Sequence, residues 1–295
     1  MINKVLQNRL KDYSPANALE QENVLQELMQ HYVLASLSRA RLFSRAVFHG
    51  GTCLRILYGT NRFSRDLDFV TREPDPAFTL RPYLAKVQED CAAAGIRFEC
   101  QDRAAIEKTV RKAFLKTDSI GQIVDIELPY ARNASRTIRI KLEVDINPPA
   151  GATFETRFIT FPVTAAITSM TLESGFGSKS HALLCREYTK GRDWYDFLWY
   201  ASRNVLPNLE LLANALDQQG PWAGTRPEVS VDWYLARMEK RIGEIDWKAA
   251  REDVARFIMS VEQEGIALWS RELFFQTLER LAKRLRGTGA HRPEN

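Results

Sequence analysis

Two aspartates separated by one apolar residue follow a short glycine turn in this chain. The turn is Gly50–Thr52, and the aspartates are Asp66 and Asp68. In a β-strand successive side chains alternate, so both carboxylates would lie on one face while the apolar residues beside them enter the core. Two carboxylates held in this way form a hard oxygen site for Mg²⁺ shared with substrate phosphates. The pattern therefore predicts metal-dependent chemistry on a nucleotide.

The elements around the glycine turn would present backbone N–H groups to an anion. Residues 46–48 are typical of the end of a short buried strand, and residues 52–58 are typical of a helix. The N–H groups at a helix N-terminus lack intrahelical partners and bind phosphate. Asp-x-Asp alone is more often a solvated strand edge. The glycine turn upstream, with Arg62 and Arg65 as neighbours, favours nucleotide binding instead.

Both blocks resemble those of a known family. Gly-Gly-Thr-x-Leu-Arg at residues 50–55 and Arg-Phe-Ser-x-Asp-Leu-Asp-Phe at residues 62–69 look like the motifs of AbiEii-like nucleotidyltransferases. These are toxins of bacterial type IV toxin–antitoxin and phage-defence systems, within the DNA polymerase β superfamily. The resemblance continues at Lys179 and at Arg-Asp-Trp-Tyr-Asp, residues 192–196. The superfamily's usual glycine-serine turn is Gly51-Thr52 here, and threonine still offers a hydroxyl to a phosphate.

This resemblance implies a fold, an activity and a set of ligands. The fold would be α/β (α+β), a polymerase β-type core with a mixed sheet, followed by a C-terminal helical domain. The activity would be transfer of a nucleoside monophosphate from an NTP to the tRNA 3′ end, which blocks charging. A cognate antitoxin would be a partner. Asp66 and Asp68 would hold Mg²⁺, and the NTP would be bound by Gly50, Gly51, Thr52, Arg55 and Lys179.

The superfamily resemblance also implies a third carboxylate from a neighbouring strand. Residues 138–146 alternate strictly between apolar and charged, which is typical of a half-buried strand. Either Glu143 or Asp145 could lie beside the two aspartates, or both could form cross-strand ion pairs on a solvated face. Residues 123–128 show the same alternation, so the two segments predict a hairpin with its turn at residues 133–135.

A lysine and two aspartates form the last block of the resemblance. Residues 177–179 are expected to open one helix, and Asp193 another. The resemblance places Lys179 and either Asp193 or Asp196 at the active site, where lysine suits a phosphate as a point charge. Alternatively, Asp193 is only an N-cap and Asp196 its capping-box partner. Asp145, Glu143 or Asp196 could accept the proton of the acceptor hydroxyl.

Composition is that of an ordinary globular enzyme. The 295 residues are 45% hydrophobic and 26% charged, without an apolar run long enough to cross a bilayer. The N-terminus lacks the hydrophobic stretch of a signal peptide, so we expect a cytoplasmic protein. The four cysteines and four histidines are scattered, which argues against zinc and disulfides.

The breaks in pattern suggest two domains. We expect residues 1–150 to form the nucleotidyltransferase core with its N-terminal helices, and residues 151–295 to form a helical domain contributing Lys179 and Asp196 to the cleft. Strands are expected only before residue 147, and almost entirely helices after residue 165. The net charge of +4 is mild, although basic residues cluster at 39–45, 103–116 and 280–286. Such clusters would suit RNA phosphates.

Two other functions use parts of the same residue set. Protein NMPylation or NTP-dependent phosphorylation needs the same glycine turn and metal-binding acids. A catalytically silent module that binds nucleic acid or a protein partner is a third possibility. Retention of Asp66, Asp68 and Lys179 argues against a silent module.

Overall fold

Strands and helices alternate in the first half of the chain, and helices follow one another in the second. A computed structural model describes residues 2–102, 119–128 and 136–289. The chain forms two compact units, one of Met1–Pro148 with Glu155–Ser169 and one of Pro149–Phe154 with Met170–Asn295. The expected turn at 133–135 and the basic cluster at 103–116 lie outside the described residues.

The first unit carries the strands and the helices that pack on them. Its helices are α1 (Ile2–Tyr13), α2 (Ala18–Arg39), α3 (Gly50–Tyr58) and α4 (Arg81–Ala93). Its strands are β1 (Ala46–His49), β2 (Leu67–Thr71), β3 (Arg97–Asp102), β4 (Ser119–Leu128), β5 (Arg136–Asp145), β6 (Phe154–Ile159) and β7 (Ala165–Met170).

Over the described ranges these strands form a seven-stranded sheet in the order β3-β4-β5-β2-β1-β7-β6. Strand β2 is parallel to β5 and antiparallel to β1, while β1 is parallel to β7. Strands β3, β4 and β5 form an antiparallel meander, which confirms the hairpin expected from the alternation of β4 and β5. The sheet is therefore mixed, as expected, and β2 lies in its middle.

Apolar residues alternate along β2 and β5 and pack on one face of the sheet. Leu67 pairs with Leu142 and Phe69 pairs with Val144. All four side chains are buried, and each contributes about 1.5–3 kcal/mol to folding. Because alternate residues point to opposite faces, this packing turns the acidic residues between them to the other face.

Helix α2 is buried along most of its length and packs against β5 and α4. It starts after Asn17, whose side chain accepts a hydrogen bond of 2.9 Å from the backbone N–H of Glu20. This is a conventional N-cap, worth about 1 kcal/mol. The helix lies where its buried polar side chains can reach the strands that carry the acids.

The second unit is helical. Its helices are α5 (Leu172–Cys185), α6 (Gly191–Ser202), α7 (Leu209–Gln218), α8 (Val231–Glu244), α9 (Trp247–Ala255), α10 (Gln263–Ala267) and α11 (Arg271–Gly289). Aromatic rings form its core, with Phe274 centred 4.0 Å from Trp247 and 5.5 Å from Trp194. Within the described residues no helix is both long enough and apolar enough to span a membrane.

The expectation that strands end before residue 147 is wrong, because β6 and β7 follow. Strand β7 pairs in parallel with β1, from which it is separated by more than a hundred residues. Strand β6 closes one edge of the sheet and buries only Ile159. An edge strand with few buried residues carries little hydrophobic pattern, so alternation could not reveal it.

Candidate active site

Asp68 lies between two other polar residues on one face of the sheet. In the strand register Asp68 is paired with Glu143 of β5 on one side and with His49 of β1 on the other. Directly paired residues point to the same face, so the three side chains are neighbours. All three are half-buried, and Asp66 immediately precedes the same strand. The predicted alignment of the two aspartates on one strand is therefore compatible with this register.

Lys141 shares this face with the acids. Its ammonium forms an ion pair with Glu143, two residues further along β5. Burial alone would lower the pKa of Lys141, but Glu143, together with the charges of Asp66 and Asp68, raises it above its usual value. The lysine thus remains charged near neutral pH and balances part of the negative charge.

The glycine turn approaches Asp68 more closely than any other residue type would allow. Gly50 has a φ of +78°, and a Cβ there would lie 2.7 Å from Oδ2 of Asp68. At Gly51 a Cβ would collide with the guanidinium of the buried Arg62. Glycine is therefore needed at both positions. The first-turn N–H groups of α3 consequently begin beside the Asp68 carboxylate, so an anion bound to them would lie next to this acid.

Thr52 has a positioning contact. Its side chain is fully buried, and its hydroxyl donates a hydrogen bond to the backbone carbonyl of Asp66. This bond ties the start of α3 to the residue that enters β2. We expected the hydroxyl to face a phosphate, but in the structure it holds the backbone of an acid.

Two buried glutamines of α2 hold the segment that delivers Asp66. The Gln30 amide donates to the carbonyl of Ser64 at 3.0 Å, and the Gln26 amide donates to the carbonyls of Arg65 and Arg139, at 3.2 and 2.9 Å. Sequence analysis did not identify these residues. The available signal was a pair of amides four residues apart, a spacing that places them on one face of the helix.

Arg55 lies in an ion-pair network of α2 and α3. Its Nε is 2.6 Å from Oε2 of Glu27, its Nη1 donates to the carbonyl of Thr60 at 2.8 Å, and its guanidinium covers the Phe63 ring. Both charged side chains are largely buried. The charge that we expected to face a nucleotide is thus paired with Glu27, which stabilises α3 against α2.

The two candidates for the third acid differ in position. Glu143 is directly opposite Asp68, whereas Asp145 is opposite Val70, two pairs further along the strands. Asp145 is only 6% exposed, and its Oδ1 accepts a hydrogen bond of 3.1 Å from the backbone of Asn147. This contact shapes the end of β5. Glu143 is therefore the nearer partner of Asp68.

The acids suit a magnesium ion that is shared with a substrate. Across the described ranges no three His, Cys, Asp or Glu side chains converge closely enough to hold a metal by themselves. Mg²⁺ usually binds one or two carboxylates and completes its shell with waters and phosphates. Asp68 is half-buried beside the glycine turn, and the half-buried Asp66 precedes it by two residues, so the pair could meet that requirement.

A lysine between two aspartates forms a separate cluster in the second unit. Nζ of Lys179 lies 2.7 Å from Oδ1 of Asp193 and 2.8 Å from Oδ2 of Asp196. The side chains are 14%, 4% and 0% exposed, so the pairs are shielded from solvent. Arg186 Nε lies 3.1 Å from the other Asp193 oxygen, without hydrogen-bond alignment.

Electrostatics keep Asp193 ionised despite its burial. Burial would raise the pKa of this carboxyl, but Lys179, Lys190 and Arg186 outweigh burial and hold the pKa well below its usual range. Burial lowers the pKa of Lys190, although Asp193 opposes that change. The cluster of Lys179, Asp193 and Asp196 is therefore charged and internally paired.

The expected helix starts around this cluster are wrong. Helix α5 begins at Leu172 after the N-cap Thr171, so Lys179 lies in its middle. Helix α6 begins at Gly191 with Lys190 at the N-cap, so Asp193 is not the cap. A Cβ at Gly191 would collide with the backbone carbonyl of Ala250, so glycine at this position allows α6 to pack closely against α9.

The chain is similar to known proteins over most of its length. The model of the family described as "Nucleotidyl transferase AbiEii toxin, Type IV TA system" matches residues 32–277. A crystal structure of a candidate nucleotidyltransferase from H. pylori has a TM-score of 0.50 at 16% identity, covering 92% of this chain and 97% of that one. The structure of JHP933 from Helicobacter pylori has a TM-score of 0.47 at 17% identity, covering 88% and 90%. No curated protein matches the chain.

Proposed function

The chain belongs to the AbiEii family of nucleotidyltransferase toxins of type IV toxin–antitoxin systems, and we propose that it transfers a nucleoside monophosphate from an NTP to the tRNA 3′ end. The proposal includes Mg²⁺ as the metal, a cognate antitoxin as a partner and phage defence as the setting. One observation carries the chemistry: the glycine turn lies directly against the carboxylate of Asp68. A phosphate-binding turn and a metal-binding acid are thus adjacent.

The chain's own groups would bind and orient the triphosphate. N–H groups in the first turn of α3, at Gly51 and Thr52, donate to phosphate oxygens. Asp66 and Asp68 would hold the Mg²⁺, which would neutralise phosphate charge and polarise the phosphorus that is attacked. Gln26 and Gln30 fix the backbone that carries the first aspartate, so the two carboxylates are preorganised.

Glu143 is our choice for the group that accepts a proton. The acceptor oxygen forms a bond to the α-phosphorus as the bond to pyrophosphate breaks, and the proton of the acceptor hydroxyl moves to a carboxylate. Glu143 is next to Asp68 in the register, and Lys141 holds its side chain. Asp145 shapes the end of β5 instead.

Lys179 is assigned to the triphosphate through the lysine motif of the family. Paired contacts with Asp193 and Asp196 fix its ammonium before any ligand binds. An ammonium acts on phosphate as a point charge, so its position determines its effect. Asp193 and Asp196 then act as positioning residues for the lysine.

Incubation with each α-³²P-labelled NTP, Mg²⁺ and total tRNA tests this function. We expect label on RNA, and we expect none on tRNA whose terminal 2′,3′-diol has been oxidised with periodate. The Asp68→Asn variant, which keeps the size of the side chain, is the matched control and should leave the RNA unlabelled. Label on protein instead of RNA would replace tRNA with a protein acceptor. Label in neither fraction would contradict the proposed transfer.

A further inference from the structure

A cavity of about 770 Å³ lies in the second unit, among α6, α10 and α11. Lys179, Asp193 and Asp196 are not among its lining residues, and Tyr195 and Leu198 of α6 lie on the side of that helix away from Asp193 at 3.6 residues per turn. The cavity is therefore separate from the lysine–aspartate cluster. Its volume falls within the range of sites for small ligands, which is roughly 300–1,000 Å³.

Aromatic side chains form much of the cavity wall. The rings of Tyr195 and Trp269 are centred 6.3 Å apart, and Trp199 lies next to them along α6. Trp199 is only 7% exposed, and within the described part of the chain its indole Nε1–H has no hydrogen-bond partner. This N–H is itself buried, so the cavity presents aromatic ring surface rather than this donor to a ligand.

Basic residues form the rim on the α11 side. Arg280, Lys283 and Arg284 all line the cavity and are exposed. Their spacing of three and four residues puts them on one face of α11. Glu262 is the carboxylate among the lining residues, so three cations face one acid. The rim is thus net positive and suited to an anion.

We propose that this cavity binds one unstacked nucleotide of the RNA acceptor. The base packs against the Tyr195 ring, and the flanking phosphates meet the three cations of the rim. Unstacked bases on aromatic rings beside arginine and lysine are the usual mode of single-stranded RNA binding. An acidic peptide would use the cations but would gain little from the aromatic rings of Tyr195 and Trp269. The inference rests on the proposed function in one respect, which is that the acceptor is RNA.

Charge reversal on the rim tests the proposal. The variant Arg280→Glu/Lys283→Glu is compared with Arg237→Glu/Lys240→Glu, which has the same spacing and the same charge change on α8, outside the cavity lining. The probe is 5′-labelled total tRNA, and all proteins carry Asp68→Asn to prevent transfer. We expect the rim variant to bind tRNA about tenfold more weakly than the parent protein, with a reduced salt dependence. The affinity of the control variant for tRNA should stay within about twofold of that of the parent.

Removal of the aromatic ring provides a second test of the proposal. Tyr195→Ala should weaken tRNA binding by about tenfold, whereas Tyr188→Ala, at an exposed tyrosine outside the cavity lining, should not. Circular dichroism and melting temperature establish that each variant is folded. Unchanged binding in both cavity variants would overturn the proposal, as would displacement by poly-glutamate as efficient as by tRNA, which would indicate an acidic peptide.

Failure of the cavity and failure of the function are distinguishable. If the wild-type protein labels tRNA but the rim variant has the same KM for tRNA, the cavity proposal is wrong and the function stands. If tRNA binds at the cavity while the wild-type protein labels no RNA, the cavity proposal stands and the transfer is wrong.

Discussion

The sheet and the helical unit each hold a charged cluster, and the two differ in how charge is balanced. On the sheet the half-buried carboxylates of Asp66, Asp68 and Glu143 share a face with the ammonium of Lys141. In the helical unit Asp193 and Asp196 are balanced by Lys179 and Arg186, and both acids are almost fully buried. The first cluster is only half-buried, so a cation from solution can reach its carboxylates. The second is neutralised from within.

Because of this difference, we assign different roles to the two clusters. A half-buried acidic cluster can exchange a cation and its waters, as catalysis with a metal-bound nucleotide requires. A buried, paired cluster is costly to disturb, because removal of one partner leaves an uncompensated charge. Substitutions in the first should therefore affect turnover, and substitutions in the second should affect stability as well.

Asp68→Asn should give the largest effect on activity. Removal of this charge from a preorganised site should lower kcat/KM by more than about a hundredfold, while the melting temperature changes little. Radiolabel transfer and thermal unfolding measure the two quantities. Glu73→Gln, at an exposed acid of the same unit, is the control and should behave as the wild type. Comparable activity in Asp68→Asn and the wild type would remove this carboxylate from the site.

Lys179→Met should mainly destabilise the helical unit. The substitution leaves Asp193 and Asp196 buried with less positive charge, and breaking a buried pair costs about 3–5 kcal/mol. Urea unfolding followed by circular dichroism measures the loss. Adding Asp193→Asn should recover part of it, because one of the two buried charges is then absent. If Lys179→Met were as stable as the wild type, the cluster would not be the paired unit described here.

The sequence predicts contacts between residues that are close in the chain, but not contacts between residues that are far apart in it. The alternation of β2 and β5 is local, so the face that carries the acids could be predicted from residue order alone. The choice between Glu143 and Asp145 could not, because it depends on the parallel register of β2 against β5. Seventy-five residues separate Asp68 from its partner, and no local pattern encodes that pairing.

Tertiary contacts also account for the other differences. Only glycine fits at residue 191, the first residue of α6, because a side chain there would collide with the backbone of Ala250, which lies far away in the chain. The glutamines of α2 carry no motif, and their role follows from the carbonyls that they meet across the sheet and its preceding loop. Motifs and alternation thus predict which side chains are suited to catalysis or ligand binding. Tertiary packing determines which of those side chains contact one another.

Glu143→Gln should lower kcat more than Asp145→Asn does. Loss of a proton acceptor beside Asp68 should reduce kcat by at least about a hundredfold at neutral pH, whereas asparagine can keep the contact of Asp145 Oδ1 with the Asn147 backbone. We expect a change within about threefold for Asp145→Asn. Steady-state kinetics of both variants, with KM for the NTP, would separate the two acids. A greater loss at Asp145 would reverse the assignment.

Acid should weaken the helical unit through Asp193. The folded pKa of this carboxyl lies below its unfolded value, so its contribution to stability is complete above the unfolded pKa and is lost as pH falls toward the folded pKa. Unfolding free energy should therefore decline below about pH 5, with a shallower decline in Asp193→Asn. Urea titrations at several pH values measure the slopes. Equal slopes would mean that Asp193 is not held ionised by its neighbours.

The central claim is that the acidic cluster of the sheet takes up a divalent cation together with a nucleotide. Calorimetric titration of the full chain with Mg²⁺, in the presence of each non-hydrolysable NTP analogue, tests it most directly. We predict Mg²⁺ binding that is strengthened by the analogue in the wild type and lost in Asp66→Asn/Asp68→Asn, with the fold intact. Binding of equal strength in the two proteins would contradict the account.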